Sequence, residues 1–103
     1  MDDLIKDQEE RENVERGDRS GQRILIGRVT HFYDKLKVVA IDLIGNLSIG
    51  DTIEIENMEE AVRQKVTSMQ INRKEVNGAS KGDSVGIMVD RLIMKGSKVY
   101  KIE

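Results

Sequence analysis

The 103-residue sequence contains no cysteine, no proline and no tryptophan. Without cysteine there is no disulfide staple, thiolate zinc site, iron–sulfur cluster or cysteine nucleophile. The single histidine, His31, rules out a histidine-rich metal centre within one chain. Aromatic residues make up 3% of the chain and are Phe32, Tyr33 and Tyr100, so any core must be aliphatic. No apolar run approaches the roughly 18 residues of a membrane span, and the acidic, polar beginning does not read as a secretory signal. These absences predict a soluble, cytoplasmic protein with no membrane partner, no cofactor and no resident metal.

Hydrophobic residues at 38% and charged residues at 35% allow one small core. The net charge of −2 is unevenly spread. Residues 1–22 hold eight acids and four bases, whereas residues 23–103 hold 11 acids and 13 bases. The first segment has only Leu4, Ile5 and Val14 as aliphatics, too little to offset the entropy of ordering it. It is expected to be an acidic arm, flexible or partly helical, joined at Gly17, Ser20 and Gly21 to a body over residues 23–103. That body is too weakly basic to be a strong nucleic-acid signature, and no DNA binding is predicted.

Within the body, Ile24, Leu25, Ile26, Val29 and Phe32 predict a first strand, with Gly27 marking a bulge or a close backbone approach. Leu36, Val38, Val39, Ile41, Leu43 and Ile44 predict a second, joined to the first by a turn at Tyr33-Asp34-Lys35. A phrase then recurs. Gly50-Asp51-Thr52-Ile53 and Gly82-Asp83-Ser84-Val85 share a turn feeding a β-branched run, and Gly96-Ser97-Lys98-Val99 is a looser third copy. Residues 59–69 are ambiguous. Val62, Val66 and Met69 fit a helical stripe, but Val66 to Ile71 alternates, with Thr67, Met69 and Ile71 on one face. The surroundings favour the strand, with Asn57 to Ala61 as loop. The expected class is all-β, a compact barrel or sandwich.

Catalytic signatures are sparse. Gly78-Ala79-Ser80-Lys81-Gly82-Asp83-Ser84 lacks the P-loop spacing. No Gly-x-Ser-x-Gly elbow exists for a triad that would have to use His31. Glu54 with Glu56, and Glu59 with Glu60, read as solvated acids rather than a cation site. No catalytic residue is assigned, and the chain is expected not to be an enzyme. The most suggestive surface feature is His31-Phe32-Tyr33 with Arg28, Lys35 and Lys37, where rings could stack on bases and cations could hold phosphates. Arg73 and Lys74 form a second, smaller basic spot. The alternative is that Phe32 is core, Tyr33 caps the turn and the lysines are ordinary surface.

From Ile26 to Ile102 the chain resembles the second, β-barrel domain of translational GTPases such as elongation factor Tu. The carrying residues are Ile26-Gly27-Arg28-Val29-Thr30, Leu47 to Ile55, Lys65-Val66-Thr67-Ser68-Met69-Gln70, Lys81 to Ile87 and Lys98 to Ile102. Small stand-alone elongation factor-like proteins are closer still, and a similar barrel ends some collagenase-like peptidases. The resemblance implies a closed, six- to seven-stranded antiparallel Greek-key barrel. It also implies a translation-associated binding module that engages RNA, the ribosome or a translation-related protein. Arg28, His31, Tyr33, Lys35 and Lys37 would make the contact, with Arg73 and Lys74 as outer phosphate contacts. The alternative function is a protein-interaction accessory subunit of a larger enzyme such as a collagenase-like peptidase, with the acidic arm as docking peptide.

Overall fold

The computed structural model describes residues 22–103, so nearly all of the expected arm lies outside the described residues. The described part is all-β. No helix in it is long and apolar enough to cross a membrane.

The core explains the choice of strands. Among the described residues sixteen hydrophobic side chains are buried in one cluster, and all but Leu43, Leu47 and Met69 are valine or isoleucine. Branching at Cβ restricts these side chains in helices and packs well on a pleated surface. Strand β1 (Arg23–Tyr33) pairs antiparallel with both β2 (Val38–Leu43) and β10 (Lys98–Ile102). Beyond β10 lie β4 (Thr52–Glu56) and then β5 (Ala61–Lys65). Beyond β2 lie β9 (Ser84–Met88), β6 (Gln70–Ile71) and β7 (Lys74–Glu75). The last strand therefore inserts between the first and the fourth. A separate pair joins β3 (Leu47–Ser48) to β8 (Gly78–Ala79).

Strand β1 is eleven residues long and bends twice. Its register shifts between Leu25 and Gly27 against β10, and between Val29 and His31 against β2. Gly27 marks the first shift, as its position in the sequence suggests. It is buried so close to β2 that a Cβ there would lie 2.6 Å from the Asp42 carbonyl oxygen. At the second shift the Thr30 hydroxyl donates to the Ala40 carbonyl at 3.3 Å. The two shifts keep Ile26 and Val29 in the core and turn Arg28, His31 and Tyr33 outward.

The recurring turns are one device used three times. Gly50, Gly82 and Gly96 hold φ of +95°, +95° and +90°, a region that side-chain-bearing residues rarely adopt. The Asp51 carboxylate accepts the Ser48 N–H at 2.8 Å, and the Asp83 carboxylate accepts the Ser80 N–H at 2.9 Å. In the third copy a serine replaces the acid and the bond reverses, the Ser97 hydroxyl donating to the Met94 carbonyl at 2.6 Å.

Several sequence expectations need correction. Leu36 and Ile44 fall outside β2, in the flanking turn and bend, and are 67% and 57% exposed. The strand in the ambiguous region is β5, which begins at Ala61. Of Val66 to Ile71 only Gln70 and Ile71 are strand, and Thr67 is exposed. Val62, Val66 and Met69 are all buried, but along a strand and the irregular segment after it rather than on a helix. The expected closure is not made by a ladder either. Among the described residues the main sheet has eight strands and ends at β5 and β7, which do not pair with each other. It nonetheless curls, because Val62 of β5 and Ile87 of β9 share one core. The Gln64 side-chain amide donates to the Met88 carbonyl at 2.9 Å across the remaining gap.

Candidate functional site

Antiparallel pairing brings one end of every long strand together. Tyr33 ends β1 opposite Val38, Met88 ends β9 opposite Val38, and Glu56 ends β4 opposite both Lys98 and Ala61. Three connections cap this end: the 34–37 turn, the 57–60 turn and the long 89–97 crossing. The crossing is anchored where the Val89 N–H donates to the Lys37 carbonyl and the Gly96 N–H donates to the Val29 carbonyl, both at 2.8 Å. Between those anchors Ile93 drops into the core at 4% exposure.

The residues around Ile93 do the reverse. Tyr33, Leu36, Met58, Met88, Leu92 and Met94 are between 47% and 103% exposed, and all belong to this end. They are six of the ten large hydrophobic residues exposed among the described residues, so the apolar exposure is concentrated rather than scattered. Met58 is wholly solvent-exposed at a turn held by the Asn57 carbonyl oxygen Oδ1, which accepts the Glu59 and Glu60 N–H groups at 2.7 and 3.0 Å. A cleft of about 550 Å³ separates this turn from Met94, Lys95 and Lys98. Methionine and leucine rims of this kind adapt to apolar partners. The surrounding charges are of both signs, with Asp34, Glu59, Glu60 and Asp90 beside Lys35, Lys37, Arg91 and Lys95. A polyanion would call for one sign; a protein surface fits the mixture.

The sequence-predicted residues divide between two places. Arg28, His31 and Tyr33 line the outer face of β1, and Lys35 and Lys37 follow in the adjoining turn. The His31 and Tyr33 rings meet edge to face, 4.3 Å between centroids. Arg28 sits between Lys98 and Asp42 of the neighbouring strands. Lys37 holds a left-handed φ of 56°. Arg73 and Lys74 are elsewhere. They belong to the β6–β7 hairpin, whose turn residues Asn72 and Arg73 have φ of 53° and 67°. Because Gln70 opposes Gly86 and β6 runs antiparallel to β9, this hairpin points toward the Leu43 end of β2, away from the rim. Phe32 packs against the core.

Sequence reasoning missed Leu36, Met58, Leu92 and Met94. Leu36 looked like the start of a strand, and no periodicity marks an isolated apolar residue on a loop. It also missed a charge cluster on the outer face of β4. Glu54, 11% exposed in its side chain, accepts from Arg63 at 2.9 Å and from Arg23. Arg23 also reaches Glu56 at 3.2 Å and lies over the Tyr100 ring, 4.1 Å from its centroid. Burial pushes the Glu54 carboxyl up, but the hydrogen bonds from Arg63 and Arg23 outweigh it and hold the group below its ordinary value. The bond to Glu54 raises Arg23 in turn.

No family profile matches the chain. Over 102 residues it is 38% identical to an uncharacterized protease of Methanocaldococcus jannaschii. That match takes in 98% of this chain but only 25% of the relative, so the chain spans a quarter of the length of the curated relative it matches. In fold it is similar to the crystal structure of the C-terminal domain of a Geobacillus thermoleovorans protein assigned to the U32 peptidases. The TM-score is 0.71 at 17% identity, over 76% of this chain and 91% of that domain. The selenomethionine form of that domain matches equally, with TM-score 0.71 at 18% identity, over 75% of this chain and 98% of the domain. The expected kinship with translation factors is thereby overturned, since the sequence match is to a protease polypeptide and the fold match to the C-terminal domain of a protein assigned to the U32 peptidases, with no translation factor among them.

Proposed function

We propose that this chain is a non-catalytic accessory β-module that docks on the body of a larger protease-type polypeptide. The observation that carries the reading is the match of nearly the whole chain to one quarter of a protease. A segment that forms its own core yet occupies a quarter of a longer relative behaves as a discrete unit beside other units. The apolar rim around Tyr33, Leu36, Met58 and Met94 supports the reading, because docking would remove exposed side chains worth roughly 1.5–3 kcal/mol each when fully buried. Arg28, His31, Lys35 and Lys37 would flank that contact as polar neighbours, and Arg73 and Lys74 would lie outside it.

The test mixes this chain with the remaining three quarters of the Methanocaldococcus jannaschii relative and follows association by calorimetry. A complex weakened at least about tenfold by Leu36→Ser with Met94→Ser is expected, since two buried side chains are lost. No association at high micromolar concentration, or peptide hydrolysis by this chain alone, would overturn the reading.

A further inference from the structure

We infer that the outer edge of β5 is a strand-addition site for an extended acidic peptide. This inference rests on backbone geometry and is independent of docking through the rim. Antiparallel pairing alternates residues that bond to the neighbouring strand with residues that point away from it. In the β4–β5 hairpin the Asn57 N–H donates to the Glu60 carbonyl at 3.0 Å, and the Val66 N–H donates to the Asp51 carbonyl at 2.8 Å. Those two bonded pairs set the phase, so Val62 and Gln64 bond toward β4. Ala61, Arg63 and Lys65 therefore direct their N–H and C=O groups away from it. Among the described residues those six groups have no hydrogen-bond partner, and β5 pairs only with β4.

This is the place where the expected closed sheet stops short, and among the described residues only the Gln64 amide reaches β9 across it. An extended peptide laid along β5 would gain main-chain hydrogen bonds from all three outward residues. Its chemistry follows from the side chains it would face. On the outer face it would lie beside Arg63 and Lys65, both exposed. Arg63 spends Nη2 on Glu54, and Lys65 has no acidic partner among the described residues. On the inner face it would meet Val62 and Gln64. The matching peptide therefore carries acids two residues apart with small apolar residues between them, since opposite charges across strands are favourable and like charges are not. Charged edge residues normally discourage unspecific pairing; here two cations select an anionic strand.

The probe is the pentapeptide acetyl-Val-Glu-Val-Glu-Val-amide, with its Lys-for-Glu counterpart as control, added to the full chain. Amide hydrogen exchange is read residue by residue. The acidic peptide is expected to slow exchange at Ala61, Arg63 and Lys65 at least about tenfold and to bind more weakly as salt rises. Lys65→Ala removes the charge and keeps the N–H. Lys65→Pro removes both without touching a β4 bond, because proline is tolerated on an edge. Lys65→Pro is expected to bind about tenfold more weakly than Lys65→Ala. Three results would overturn the inference: unchanged exchange at those amides, equal binding of the lysine peptide, or protection of the three amides in the free chain.

Discussion

Placing a methyl group on Gly27 probes the tightest approach in the sheet. A Cβ at this position would sit 2.6 Å from the Asp42 carbonyl oxygen and 2.8 Å from the Ile41 Cγ2 atom, both well inside the 3.4 Å at which contact becomes ordinary. Neither neighbour can step aside cheaply. The oxygen is backbone of a strand paired on both sides, and Ile41 is fully buried. The strands themselves must separate, and overpacking of this kind costs about 1–3 kcal/mol. The backbone obstacle puts Gly27→Ala at the upper end, about 3 kcal/mol. For a domain of this size, with a total stability of about 5–10 kcal/mol, that lowers Tm by roughly 12–24 °C. Gly78→Ala is the matched control, because its nearest atoms would be an ordinary 3.5 Å away. Equilibrium urea unfolding gives the free energies, and an unchanged m-value confirms that only stability moved. A loss below about 0.5 kcal/mol, or one equal to that of Gly78→Ala, would refute the close-approach reasoning.

The Glu54 cluster predicts a pH dependence. Its folded carboxyl lies below the ordinary value of 4.5, so its stabilisation is complete above that pH and is lost as pH falls through the folded value. Glu54→Gln is expected to cost about 1 kcal/mol at pH 7, a modest figure because both arginines are substantially solvent-exposed. The difference from wild type should shrink in urea titrations below pH 4.5; a constant difference down to the acid limit would refute the assignment. Ser97 is 2% exposed and its hydroxyl serves the Met94 carbonyl. Ser97→Ala should cost about 1–2 kcal/mol in thermal unfolding and more than Asp83→Ala, whose bond is at the surface.

Much of the fold was legible because its determinants are local. Gly27 announced a close approach, and the two Gly-Asp turns and the Gly-Ser turn announced three positive-φ corners. The alternation of Val39, Ile41 and Leu43 announced one buried face. What was illegible is non-local. Nothing near Ala61 to Lys65, where Val62 also fits a helical stripe, shows that the stretch is captured by β4 through the 57–60 turn. Tertiary pairing overrides propensity there. Closure depends on whether two distant strands meet, which no window of sequence contains. Tyr33, Lys35 and Lys37 could be singled out in the sequence because charges and rings cluster there, and the fold places them at the same end as the rim. Met58 and Met94 could not be, since only the fold brings the 57–60 turn beside the 89–97 crossing.

The overturned kinship has a physical explanation in the residues that suggested it. Gly27 is required by the β1–β2 approach. Gly50 with Asp51 and Gly82 with Asp83 build turns. Val66, Met69, Val85, Ile87 and Val99 are buried, and Gln70 pairs with Gly86 to attach β6. Each of these meets a demand of the backbone or the core, and none forms the exposed rim. A likeness made of such residues reports a fold and is silent on the surface that meets a partner. The rim and the β5 edge are set by Leu36, Met58, Leu92, Met94, Arg63 and Lys65, and of these only Lys65 lay in the segments that carried the likeness. Function in this molecule therefore has to be sought on surfaces that the fold positions but does not specify.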